Sequence, residues 1–170
     1  IHDLFSAIEE YNENLAISIL QKIDLNTLDI INSDDATVLI LSCKNKLYAV
    51  TTHLLQNYKY CDLSATDINN RSALYYCIIR HTPDISSHDK VKALSNINQI
   101  LSHPYECAMG ETCTSGLTPL AISSFKCLSC TITLLSYPLL CNENCIHEST
   151  GITALHVICK NEMTDCAMLL

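Results

Sequence analysis

The chain has 170 residues, of which 48% are hydrophobic and 16% charged, and its formal net charge is −8. This content supplies a core and excludes a disordered chain, and the acidic balance excludes a general binder of nucleic acid or anionic membrane, which needs a basic surface for phosphate. The longest apolar runs are a few residues, too short to cross a bilayer, and Asp3, Glu9 and Glu10 break up the N-terminus, which is no signal peptide. The chain starts at Ile1 rather than Met and reads as a piece of a longer protein. Its 11 cysteines are an odd number set largely inside helical apolar patterns. That favours reduced thiols in an intracellular protein, cytoplasmic or nuclear, over a secreted disulfide framework.

In chain order the same pattern returns five times. Its anchors are Leu4, Leu39, Leu74, Leu120 and Leu155, spaced by 35, 35, 46 and 35 residues. A Ser or Thr stands two residues before the last four of them: Thr37, Ser72, Thr118 and Thr153. Each can cap a first helix through its side-chain oxygen, and Pro119 fits the first turn, where no N–H partner is lost. A polar kink follows, as in Lys44-Asn45-Lys46 and Lys160-Asn161-Glu162. A second helix then closes on an apolar pair: Ile19-Leu20, Leu54-Leu55, Ile100-Leu101, Leu134-Leu135 and Leu169-Leu170. The units span about 1–33, 34–68, 69–114, 115–149 and 150–170, the last cut short inside its second helix. The long spacing is an 11-residue insertion in unit three, from His81 to about Lys92, expected as a loop between the unit's two helices. Pro83 should end the first helix, and Ser86, Ser87 and Asp89 can cap the next, which carries Val91, Leu94, Ile97, Ile100 and Leu101 at helical spacing. Neither helix of a unit is long enough to be stable alone, so stacked units sharing one core are the expectation. An end on two leucines lacks a polar cap, so more repeats or another domain are expected beyond Leu170.

These residues resemble the ankyrin repeat family. Thr118-Pro119-Leu120 and Thr153-Ala154-Leu155-His156 match its Thr-Pro-Leu-His signature, and Asp62-Leu63-Ser64-Ala65 resembles its hairpin segment. The chain departs from the pattern in its longer period and in the hairpin glycine, kept only as Gly116 and Gly151. The resemblance implies an all-α ankyrin-type solenoid, a single domain over 1–170, whose concave face recruits a protein or peptide partner. It implies that His156 bonds backbone between neighbouring units. It carries the binding positions onto Ser33, Asp34, Ala36, Lys44 and Asn45; Ile68, Asn69, Arg71, Ile79 and Arg80; Thr114, Ser115, Leu117, Phe125 and Lys126; and Ser149, Thr150, Ile152, Lys160 and Asn161. Arg71, Arg80, Leu117, Phe125 and Ile152 are the expected anchors, because aromatic and Arg side chains dominate binding energy. Lys44, Arg71, Arg80, Lys126 and Lys160 make the face more basic than the whole, which points to an acidic or mixed peptide.

The alternative is a Cys-rich, metal- or redox-regulated module. Cys127-Leu-Ser-Cys130 and Cys141-Asn-Glu-Asn-Cys145, with His147 beyond and Cys107 and Cys113 before, have short spacings suited to zinc. The repeat register sets the first pair at a helix–helix turn and the second in a connector, roughly 12–15 Å away across one helix at 1.5 Å per residue, so one ion cannot join them. Cys43, Cys77, Cys159 and Cys166 fall at packing positions. On this reading the protein holds no metal, with Cys127 and Cys130 or Cys141 and Cys145 as the ligands otherwise. His53, His81, His88 and His103 have no matched Ser, Cys or carboxylate partner, and three glycines make no phosphate loop. No catalytic constellation emerges, and no cofactor is expected.

Overall fold

A computed structural model describes residues 2–24, 28, 30–81, 86–103, 106–108, 110–137, 140–142, 144–147 and 150–168, apart from the side chains of Tyr58 and Lys126. Among these residues the protein is all-helical, with ten α-helices, one short 3-10 turn at Tyr58–Tyr60 and isolated bridges in place of strands. The helices form five pairs: α1 (His2–Glu9) and α2 (Glu13–Leu20), α3 (Val38–Lys44) and α4 (Tyr48–Gln56), α5 (Ala73–Arg80) and α6 (Ser87–Leu101), α7 (Pro119–Lys126) and α8 (Leu128–Leu135), α9 (Ala154–Lys160) and α10 (Thr164–Ala167). The odd-numbered helices pack side by side in one row and the even-numbered helices in a second, so each pair contacts the next.

The local causes repeat with the pairs. The hydroxyls of Thr37, Ser72 and Thr118 accept the N–H of Ile40, Tyr75 and Ala121 at 3.3, 3.2 and 3.2 Å, satisfying one orphan donor at each first-helix start. Pro119 opens α7 at its first position. At α9 the cap is reciprocal, because His156 Nδ1 accepts from the Thr153 N–H at 3.3 Å and lies 2.8 Å from its hydroxyl. His156 thus acts on its own helix start, where the resemblance implied a bond between units. Extended Cys127 alone joins α7 to α8, whereas in the first, second and fifth pairs the tight turn holds a left-handed residue, Tyr11, Lys46 or Glu162, at φ of 59°, 60° and 55°. The next amide reaches back to a helix carbonyl, Asn12 to Ala7, Leu47 to Ser42 and Met163 to Ile158, at 2.8, 3.0 and 3.0 Å.

The connectors share one turn despite their missing glycines. The N–H groups of Asn32, Asp67, Cys113 and His147 reach the carbonyls of Ala36, Arg71, Leu117 and Ile152 at 3.1, 3.1, 3.1 and 2.9 Å. The left-handed residue of each turn is Asp35, Asn70, Gly116 and Gly151, with φ of 56°, 55°, 74° and 67°. Asp and Asn are the side chains that tolerate this region best, so the turn survives where glycine is absent. Neighbouring connectors join through the Ile68 N–H to the Asp34 carbonyl and the Thr114 N–H to the Asn69 carbonyl, at 2.9 and 3.0 Å.

The anchors Leu4, Leu39, Leu74 and Leu120 are buried, as are both members of the pairs Leu54-Leu55, Ile100-Leu101 and Leu134-Leu135. Leu169-Leu170 lies outside the described residues. Inside the pairs, buried hydroxyls bond across the two helices: Thr51 donates to Ser42 at 3.0 Å and Thr131 to Ser123 at 3.1 Å. Three expectations are corrected. The insertion is not a loop throughout: from Ser87 it lengthens α6 to 15 residues, with Ser86 as its cap accepting the Asp89 N–H at 3.1 Å. Its Val91 stands 69% exposed. Leu155 is 43% exposed and Cys159 exposed, although Leu39 and Cys43 at matching places on α3 are buried. The α3 face is covered by α5, and among the described residues no helix lies beyond α9.

Candidate partner-binding groove

Leu117, Ala121 and Phe125 are spaced by four, so the helical repeat of α7 and the residue leading into it put them on one side. Ile152, Thr153 and Val157, at the start of α9, face them, and His147 and Thr150 complete the lining. The rim is held by a tight turn: His147 Nδ1 is 2.7 Å from the Thr150 hydroxyl, and the Gly151 N–H donates to the His147 carbonyl at 2.8 Å. Gly151 is left-handed there, and an added Cβ would meet no atom, so the backbone angle alone favours glycine. The groove holds about 160 Å³. That is below the roughly 300–1,000 Å³ of small-molecule sites and suits a peptide's apolar side chain. Phe125 is 55% and Ile152 39% exposed, an uncovered aromatic and an uncovered β-branched group on one concavity. Three clefts are larger: two, of about 460 and 510 Å³, lie on the even-numbered helices and share Val91, and one, of about 450 Å³, lies beside α1 and is lined by Phe5, Ile30 and Ile31. The first two are shallower and carry no Phe, Tyr or Trp, and Phe5 of the third is buried, so an exposed aromatic side chain favours the groove over volume.

Of the eight anchor and cation positions named from the sequence, the structure brings Leu117, Phe125 and Ile152 together in this groove. The cations are dispersed. Lys44 pairs with Asp34 at 3.7 Å. The Arg71 guanidinium lies 5.5 Å from the centre of the Tyr75 ring, and its Nε is buried without a hydrogen-bond partner. Arg80 is exposed beside Tyr48 and Asn96, away from the groove, and Lys160 is exposed. The Lys126 side chain is outside the described residues. Asn45 and Asn161, also named, are engaged internally: their side-chain amides donate to the Ile8 and Ser124 carbonyls of the preceding pair at 3.1 and 3.0 Å. Sequence reading did not name Ala121 or Val157, and it named His147 only beside the cysteine pairs. The four-residue spacing from Leu117 to Phe125 through Ala121 was the available signal for the first.

Of the 11 cysteines, Cys43, Cys77, Cys107, Cys113, Cys127, Cys130, Cys141 and Cys166 are buried. Of the positions named for the metal- or redox-regulated alternative, Cys107, Cys113, Cys127, Cys130 and Cys141 are thus buried and Cys145 is half-buried. Cys127 caps α8, accepting the Cys130 N–H at 3.3 Å with the Ser129 hydroxyl at 3.1 Å. The hydrogen bond from the Cys130 thiol outweighs burial and pulls Cys127 down to about 5, while the same contact and burial push Cys130 far up. His81 is not isolated, as the sequence had suggested: its ring nitrogen and the two sulfurs lie within 4.8 Å of one another. Among the described residues neither Cys141 nor Cys145 joins this group. No helix among them is long and apolar enough to cross a membrane. In comparison with known proteins, no protein-family model matches the chain and no curated protein matches it.

Proposed function

We propose that the chain is an ankyrin-type solenoid acting as a protein–protein interaction scaffold, which seats an apolar side chain of a partner peptide between its fourth and fifth helix pairs. The observation that carries this reading is the groove with Phe125 and Ile152 uncovered over an apolar floor. Aromatic anchors at the centre of a contact contribute most of its energy. The fold class is supported by two rows of stacked helices, by Ser or Thr caps at each matched first helix, and by a left-handed turn two residues before each cap. Lys160, exposed at the end of α9 and three residues after Val157 of the groove, favours a partner with an acidic residue beside the apolar one. Cys43, Cys77, Cys113, Cys127 and Cys130 as free thiols suit a reducing, intracellular setting.

The test is quantitative capture from cell lysate with the wild-type chain and with the double variant Phe125→Ala, Ile152→Ser. Both side chains are substantially exposed, so the variant should keep its helical circular dichroism and thermal midpoint. A protein enriched on the wild type should fall at least about tenfold on the variant, as loss of an aromatic anchor implies. Equal capture by both chains would refute the groove as the binding site.

A further inference from the structure

His81 caps the C-terminal end of α5, and Cys127 caps the C-terminal end of α7. The two residues are 46 positions apart, the same distance that separates the anchors Leu74 and Leu120. They therefore occupy matching places in neighbouring pairs, and packing of α5 on α7 sets them side by side. Cys130 lies in the first turn of α8, three residues after Cys127, so both sulfurs face the same point at the helix start. Cys127 and Cys130 are buried, His81 is partly exposed, and the three donor atoms lie within 4.8 Å of one another.

We infer that His81, Cys127 and Cys130 form a divalent metal site of the zinc class, which clasps the end of α5 to the α7–α8 turn. Two sulfurs and one imidazole nitrogen are the donor set that zinc takes, and a Cys-x-x-Cys pair at a helix start is a recurring source of two of them. Ligands held about 2.3 Å from one ion at the tetrahedral angle stand roughly 3.8 Å apart. Two thiolates balance the charge of a divalent ion, their protons passing to solvent on binding. Outer support is already in place, since the Ser129 hydroxyl and the Cys130 N–H both lie within hydrogen-bonding reach of the Cys127 sulfur. Three protein ligands leave a fourth position on the side of His81, open to water or to a ligand from a partner. The inference does not depend on the scaffold reading, because it rests on a different junction.

The probe is Co²⁺ added to the full chain, reduced with a phosphine and freed of metal. The expected result is a sulfur-to-cobalt charge-transfer band with the visible bands of a tetrahedral site, saturating at one equivalent and displaced by Zn²⁺. Zn²⁺ at a hundredfold excess over its dissociation constant should raise the thermal midpoint by about 5–10 °C. Cys127→Ser should abolish the band. It should also keep the fold, because serine is a favoured N-cap and can replace the capping sulfur. His81→Ala should weaken Co²⁺ binding by at least about tenfold, and Cys141→Ser should change nothing. Absence of the tetrahedral bands in the wild type, or their retention in Cys127→Ser, would overturn the site.

Discussion

Alanine in place of Leu39, Leu74 or Leu120 should each cost about 2–5 kcal/mol of stability, whereas Leu155→Ala should cost about 1 kcal/mol or less. All four leucines sit at the same place in the recurring pattern, two residues after a Ser or Thr cap. The first three are essentially fully buried, where a lost side chain leaves a cavity that neighbouring helices cannot close. Leu155 is 43% exposed, so its removal leaves little cavity. Urea denaturation of the four variants reads the difference. Equal losses at all four positions would mean that the outer face of α9 is covered in solution.

The second large effect is expected at Asp67. This carboxylate is buried in a connector and accepts three hydrogen bonds: from the Asn69 and Arg71 N–H groups at 2.9 and 3.0 Å, and from the Tyr76 hydroxyl at 2.6 Å. Asp67→Ala leaves the buried tyrosine hydroxyl and the turn amides without an acceptor, at about 1–3 kcal/mol for each group that water cannot reach. A total of about 3 kcal/mol is expected. Asp67→Asn keeps an oxygen for the two amides and should cost about 1 kcal/mol, the difference between a charged and a neutral acceptor. Asn32 supports this. It stands 35 residues earlier at the matching turn, and its side-chain oxygen accepts the Asp34 and Ala36 N–H groups at 3.0 Å each. An Asp67→Asn variant as unstable as Asp67→Ala would show that the charge, not the turn, is what Tyr76 requires.

Much of the helix content was legible because it is local. The caps Thr37, Ser72 and Thr118, the proline at the first position of α7 and the buried anchor leucines follow from residue type and spacing. The connectors were harder to read, because their pattern lacked glycine. Backbone conformation turns on whether a residue tolerates positive φ, and Asp35 and Asn70 do so as Gly116 and Gly151 do. The candidate site was legible only in part. Phe125 and Ile152 meet because connected helices pack, and the register of the repeat carries that information. Charge did not transfer in the same way. Lys44 found Asp34 and Arg71 found Tyr75, so a face counted as basic from the sequence is partly neutralised by its own neighbours. His81 stands far in sequence from both Cys127 and Cys130. Its partner Cys127 is one repeat away, at the same place in the pattern, and such stacking also brings Cys43 and Cys77 to 3.2 Å.

The most direct measurement is site-specific photocrosslinking in cells with a photoreactive phenylalanine at position 125, compared with the same residue at 91 and at 11. Val91 and Tyr11 are at least as exposed as Phe125 but lie on the extended α6 and on the α1–α2 turn. A discrete adduct from position 125, absent from 91 and 11 and lost when Ile152→Ser is added, is the result expected of a partner seated in the groove. An adduct formed from 91 and not from 125 would place the partner on the α6 extension and contradict the groove.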